Sequence, residues 1–235
     1  MDDSAPTGPL TCFKAYDVRG ELGVNFDAAI AYRIGRAVGR HFGSGAVVIG
    51  YDARETSPEL TEAVALGVCD AGLTVLDLGM AGTEEMYWAV TEFGASAGIE
   101  VTASHNPINY NGLKIVKSGS RPLDNADDFQ VIKRLAEAAD WAEGPGVLGV
   151  KDISVYARAK YVDRVLSFVD VDVLRPLRVV VNSGNGAAGP SFDAIAAELG
   201  RRGAPIEFIR VHHEPDHTFP NGIPNPLLPE NHAAT

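Results

Sequence analysis

AVVIGYDARETSPELTEAVALGVCDAGLTVLDLGM, residues 46–80, decides the fold class. Its opening run, Ala46 to Tyr51, is short, continuous and apolar, the length of a buried strand. Ser57-Pro58 then reads as a helix start, an N-cap followed by proline at the first helical position. The helical pattern ends near Ala71-Gly72, and Leu73 opens a second strand, LTVLDLG. A strand, a helix and a strand joined by short connections make a βαβ unit.

Outward from that unit the alternation continues. Upstream, Phe26, Ile30, Ile34, Val38 and Phe42 recur every fourth position, one face of a helix that Gly43 caps. Downstream, Glu84 and Glu85 favour a helix start at Thr83, although Met86 stands where a capping box wants Glu or Gln. Strands read at 97–102 and 112–117, and a helix at 124–140. Residues 142–152, AEGPGVLGVKD, are the best linker candidate, with four Gly or Pro residues and no sustained periodicity. Beyond them come a helix at 155–168, a strand at 178–182, a helix at 190–202 and a strand at 206–211. The expectation is therefore an α/β fold: two consecutive α/β/α layered domains, 1–150 and 151–235, with mixed, largely parallel sheets. Five of the fourteen prolines fall between Pro215 and Pro229, which makes the tail extended loop.

Composition narrows the function classes. The 235 residues carry 20 basic and 31 acidic side chains, for a formal charge of −11. An acidic surface repels nucleic acid and anionic membranes, so neither is expected as a partner. Cys12 and Cys69 cannot build a disulfide framework and read as plain thiols. The first ten residues, MDDSAPTGPL, are acidic where a secretory signal would be basic and then apolar. No apolar run approaches the roughly 18 residues of a membrane span, and a cytoplasmic protein is expected.

The chemistry concentrates in IEVTASHNPINYNGLKIVK, residues 99–117. A strand runs into a small polar loop stopped by Pro107, and a second strand carries Lys114 and Lys117. Ser104 is thereby set beside an imidazole, an amide and two ammonium groups. A hydrolytic serine fits poorly, because Ala103 and His105 stand where G-x-S-x-G requires glycine. Adjacent residues also rarely bring a nucleophile and its base within hydrogen-bond reach. A serine that carries phosphate fits better, since nearly two negative charges call for nearby cations. A plain surface serine in an Asn-Pro turn is the alternative.

The order of FKAYDVRGEL (13–22), GYDARETSPEL (50–60), TASHNP (102–107) and NGLKIV (111–116) resembles the α-D-phosphohexomutase superfamily, most closely its bacterial phosphomannomutase/phosphoglucomutase branch. The resemblance runs from about Thr11 to Thr235. It implies that Ser104 is phosphorylated in the resting enzyme and gives its phosphoryl group to a mannose or glucose phosphate. A hexose bisphosphate then turns over in the site. It implies further that His105 and Lys114 do acid/base work, that Tyr16, Arg19 and Asn106 contact substrate or its phosphate, and that Mg2+ binds through the Ser104 phosphate. Asp52 and Arg54 read as braces of the first domain.

A second loop, GNGAAG at 184–189, is a literal G-x-G-x-x-G between a strand and a helix. A nucleotide-dependent oxidoreductase built on it is one alternative function, but it wants an acid at the end of the next strand. Glu207 sits at that strand's start and Glu214 beyond its end. A non-catalytic binding remnant of the same fold is the other alternative. The D-G-D-x-D-R metal loop of the superfamily occurs nowhere in the 235 residues, so this chain alone is expected to be inactive. Set against the superfamily, the second domain is incomplete, and the apolar strand edge this leaves is expected to pair with another copy. Asp216-His217 stands where Asp-Gly is expected, and a positive φ there would cost His217 more than Gly. The remaining histidines show no metal-ligand spacing.

Overall fold

A computed structural model describes residues 8–141, 149–225 and 228–229 of the chain. The core of the linker candidate, 142–148, lies outside the described residues.

The central βαβ unit forms as read. Strands β2 (Ala46–Tyr51) and β3 (Thr74–Met80) pair in parallel around helix α2 (Ser57–Asp70). The helix starts one residue earlier than expected. Thr56 is its N-cap, and the Ser57 hydroxyl donates instead to Asp52 Oδ1 at 2.6 Å. Helix α1 (Ala28–Phe42) is capped at both ends: Asp27 Oδ1 accepts from the Ile30 N–H, and Gly43, at φ 76°, closes the last turn. The two helices cross at glycines, since a Cβ on Gly35 would strike the Val64 carbonyl and one on Gly67 the Tyr32 carbonyl.

Helix α3 (Thr83–Glu92) leads to strand β4 (Ala97–Val101), which joins β2 in parallel on its other side. Strand β5 (Tyr110–Lys117) returns antiparallel to β4, and β1 (Val18–Glu21) pairs antiparallel to β5. Three short strands were not expected, β1 among them. Strand β6 (Arg121–Pro122) folds back on β5, and β7 (Val150–Asp152) adds in parallel to β3 at the end of the linker candidate. The sheet is thus mixed, in the order β1-β5-β4-β2-β3-β7. Helices α1, α2 and α4 (Gln130–Ala138) cover one face over a core that includes Phe26, Ile34, Ile49, Ile99 and Leu113. A wide turn at 125–129 precedes α4, where a single helix from 124 was expected. Helix α3 and helix α5 (Ser154–Leu166) cover the other face, over Val48, Leu78, Met86 and Ala157.

Helix α5 serves both units. Its far end, Val162 and Leu166, packs with Leu199 of helix α6 (Ala188–Arg201) in a smaller core. Strands β8 (Leu177–Asn182) and β9 (Ile206–Val211) pair in parallel beside it as a two-stranded sheet, leaving Leu177 and Val180 exposed. Glu85 ties the units together from full burial: Arg158 Nε donates to it at 2.7 Å and the Ser191 hydroxyl at 3.0 Å. From Glu214 to Asn225 the chain runs in turns, as the prolines suggest.

Candidate active site

Strand β4 ends in the serine loop, and the loop is held by its own polar atoms. The Ser104 N–H donates to Thr102 Oγ1 at 2.9 Å, and both the Asn106 N–H and its side-chain amide donate to the Ala103 carbonyl. The Asn106 amide is thus spent inside the loop. Ser104 sits at φ +54°, the left-handed region that costs a residue with a Cβ. That turn brings neighbours together: Ser104 Oγ lies 3.3 Å from His105 Nδ1. Adjacent residues rarely come this close, and the left-handed backbone of Ser104 makes this pair an exception. Both residues are exposed.

The cations divide. Arg19, on β1, is buried and donates to the Thr102 and Val18 carbonyls while pairing with Asp17 at 3.1 Å. Burial lowers its pKa, and the charges of Asp17 and Asp52 oppose that shift. Tyr16 is 77% exposed, three residues before Arg19. Lys114 is half-buried, directly across the ladder from Glu100, and makes no ion pair or side-chain hydrogen bond among the described residues. Lys117 departs from its expected place. It stands opposite Ala97, at the start of β4 rather than the loop end, and its ammonium binds Asp124 and Asp128. The antiparallel register of β5 carries it away from Ser104.

Arg54 braces something more specific than a domain. Its two guanidinium arms donate to four carbonyls of the serine loop: Pro107 at 2.9 Å, Tyr110 at 3.0 Å, Ser104 at 3.0 Å and Asn106 at 2.6 Å. Asp52 lies against the same guanidinium, with Oδ2 3.5 Å from Nε, and accepts from the Arg54 N–H and the Ser57 hydroxyl. Asn111 on β5 completes the chain by donating to the Ser57 and Thr56 hydroxyls. The signal was present in the sequence. Asp52 and Arg54 follow a parallel strand at its C-terminal end, where α/β sheets place their sites.

Ser104 and His105 open onto a cleft of about 340 Å³ between the two units. Asp52, Ala53 and Thr102 line its first side; Gly186, Ala187, Phe219, Pro224 and Asn225 line the second. Tyr16, Arg19, Asn106 and Lys114 are not among the lining residues. The GNGAAG loop has packing reasons for its glycines. A Cβ on Gly184 would sit 2.6 Å from Pro224, and one on Gly189 would strike the His213 carbonyl. Glu207 pairs with Arg178 at the start of β9, so no acid stands at that strand's end. His217 escapes the strain expected of it, since the left-handed residue in this stretch is Phe219, at φ +46°. The His213 ring is engaged by Asp193 at 2.9 Å and by the Ser183 hydroxyl.

Two family profiles match the chain. Residues 11–142 match phosphoglucomutase/phosphomannomutase, alpha/beta/alpha domain I, and residues 159–235 match domain II of the same family. The chain belongs to the phosphoglucomutase/phosphomannomutase family. It is 52% identical over 221 residues to a phosphomannomutase of Salmonella montevideo, covering 94% of this chain and 48% of that protein. A phosphomannomutase of Vibrio cholerae is 46% identical over 231 residues, with 96% and 50% covered. The crystal structure of a phosphoglucomutase/phosphomannomutase family protein from Burkholderia thailandensis superposes with a TM-score of 0.81 at 35% identity, over 94% of this chain and 48% of that one. The chain therefore spans about half the length of the curated relatives it matches. Ser104, His105, Arg19, Arg54 and Lys114 all fall within the domain I match of this family, and the glycine loop and Phe219 within domain II.

Proposed function

We propose that this chain supplies the phosphoserine side of a phosphomannomutase, which interconverts mannose 6-phosphate and mannose 1-phosphate. The observation that carries the proposal is Ser104. It is held in a left-handed turn at the mouth of an inter-unit cleft, with its hydroxyl 3.3 Å from an imidazole nitrogen. In the forward half-reaction the free hydroxyl oxygen of a hexose monophosphate attacks the phosphorus on Ser104. The bond from phosphorus to Oγ breaks, and the product is a hexose bisphosphate. In the return half-reaction Ser104 Oγ attacks the other phosphate and the isomeric monophosphate leaves. His105, and Lys114 with its unpaired ammonium, are the proposed carriers of the hydroxyl proton. Arg19 offers the loop a fixed positive charge through Thr102, and Tyr16 is exposed for substrate contact. Asn106 shapes the loop through Ala103. The proposed division of labour puts the phosphoserine unit before about residue 150 and the cleft's opposite wall after it.

Magnesium, which the resemblance implies, would bind through the Ser104 phosphate and neutralise charge during transfer. The described residues do not by themselves form its site. No group of three His, Cys, Asp or Glu among them could hold a metal, and Asp52, the one carboxylate lining the cleft, already engages Arg54 and Ser57. No step above is routed through the ion. No helix among the described residues is long and apolar enough to cross a membrane, and we place the protein in the cytoplasm. The exposed Leu177 and Val180 on the two-stranded sheet are the proposed surface for self-association of this chain alone.

Peptide mass analysis of the full-length protein tests the assignment. One phosphate should map to Ser104, and Ser104→Ala should lose both that phosphate and mutase turnover in a coupled assay with mannose 1-phosphate, magnesium and a hexose bisphosphate. Phosphate mapping only to other residues, or an active Ser104→Ala variant, refutes it.

A further inference from the structure

We propose that Arg54 is the positioning residue of the phosphoacceptor serine, and that through Phe219 it links the placement of the second unit to that serine. The proposal rests on the reading of Ser104 given above, and it assigns Arg54 a role that a domain brace would not have.

Three observations converge. First, the serine loop wraps one guanidinium. Carbonyls of Ser104, Asn106, Pro107 and Tyr110 all accept from Arg54, so seven consecutive residues are gathered on a single side chain. Such charge-assisted bonds are the strong kind, and a rigid fork of donors suits several fixed acceptors better than an ammonium does. Second, Ser104 occupies a left-handed φ that a free loop would relax. Its N–H is tied to Thr102 and its carbonyl to Arg54, so the strained residue is held from both sides. A peptide plane keeps C=O and N–H on opposite sides. Turning the Ser104 carbonyl onto Arg54 therefore turns the His105 N–H away from it, and that N–H makes no hydrogen bond among the described residues. Third, Arg54 is itself fixed. It is 3% exposed, braced by Asp52, and lies 5.9 Å from the ring centroid of Phe219, a residue of the second unit that lines the same cleft as Ser104. A shift of the Phe219 segment thus bears on the side chain that sets the serine's backbone.

Amide hydrogen exchange and kinetics together test the idea, with Arg54→Lys as the main variant because it keeps the charge and loses the fork. In the 235-residue chain, amides of Ser104, Asn106 and Tyr110 should exchange at least tenfold faster in Arg54→Lys, while amides of β2 and β4 keep their protection. Phe219→Ala should accelerate the same three amides by a smaller factor. In the full-length protein, phosphoryl transfer from glucose 1,6-bisphosphate to Ser104 should slow at least a hundredfold in Arg54→Lys, with KM for the bisphosphate within threefold. A merely structural role would lower the amount of folded enzyme and leave the kcat of the folded fraction unchanged. Unchanged loop exchange overturns the proposal, and so does faster exchange with an unchanged transfer rate. A wild-type protein that takes no phosphate on Ser104 overturns the phosphoserine reading instead, and the hold of Arg54 on the loop is then decided by exchange alone.

Discussion

Replacing Glu100 by glutamine should make the protein's stability less dependent on pH above about pH 4.5. Glu100 lies in the middle of the first sheet, 1% exposed, and neither carboxyl oxygen has a hydrogen-bond partner. Gly50 makes the room for it, since a Cβ there would sit 2.6 Å from Oε2. Lys114 faces it across the ladder without forming an ion pair. Burial raises its pKa well above 4.5, and the charges of Asp52, Glu84 and Glu85 push the same way. The folded chain thus keeps a proton that the unfolded chain releases above pH 4.5. Stability then falls as pH rises, by about 1.4 kcal/mol per pH unit, until the buried group ionises. The amide of the Glu100→Gln variant cannot titrate, so the variant's advantage over the wild type should widen by that slope. Urea unfolding of both proteins at pH 5, 6, 7 and 8 measures the difference. Asp128 and Glu198, each held at about 2, titrate below this window, while Cys12, at about 11, titrates above it. Parallel stability curves for the two proteins would refute the reasoning and mean that Glu100 is solvated or paired in solution.

Gly67→Ala should destabilise the fold by about 2 kcal/mol in urea unfolding, because its Cβ would meet the Tyr32 carbonyl where α1 and α2 cross. Glu85→Ala should cost about 3 kcal/mol, since it leaves the Ser191 hydroxyl without its acceptor and the Arg158 guanidinium with the Met80 carbonyl but no carboxylate; proteolysis should then release the second unit first. Asp128→Asn tests an ionic cluster away from the cleft. Burial alone would raise this carboxyl, yet hydrogen bonds from Lys117 and His41 hold it at about 2. That shift contributes about 2 kcal/mol at pH 7 and is lost as pH falls from 3.8 toward 2. Acid titration should therefore show the wild type and variant converging below pH 2.

What the sequence made legible was whatever is decided locally. Ala46–Tyr51 is a continuous apolar run, Ile206–Val211 is a short β-branched and aromatic run broken only by Glu207 and Arg210, and both strands carry the expected bounds. Helix α1 has its stripe, an N-cap and a glycine stop within twenty residues, so nothing distant had to agree. Strands β1, β6 and β7 are two to four residues long and exist through their partners, which no local pattern reveals. The site divides along the same line. Ser104, His105 and Asn106 are neighbours in the chain, and their chemistry reads directly. Lys114 and Lys117 differ by three positions on one strand, but only the register against β4 shows that one faces Glu100 and the other Ala97. That difference of about 10 Å along a strand separates a proposed proton carrier from the ionic cluster on Asp128. Arg54 is the extreme case, fifty residues from the loop it holds. Its role follows from bond directions alone: four carbonyls of one strained turn converge on a single buried side chain. A buried arginine so placed stabilises one shape of the turn over all others, and that shape is the one that brings Ser104 Oγ to the imidazole.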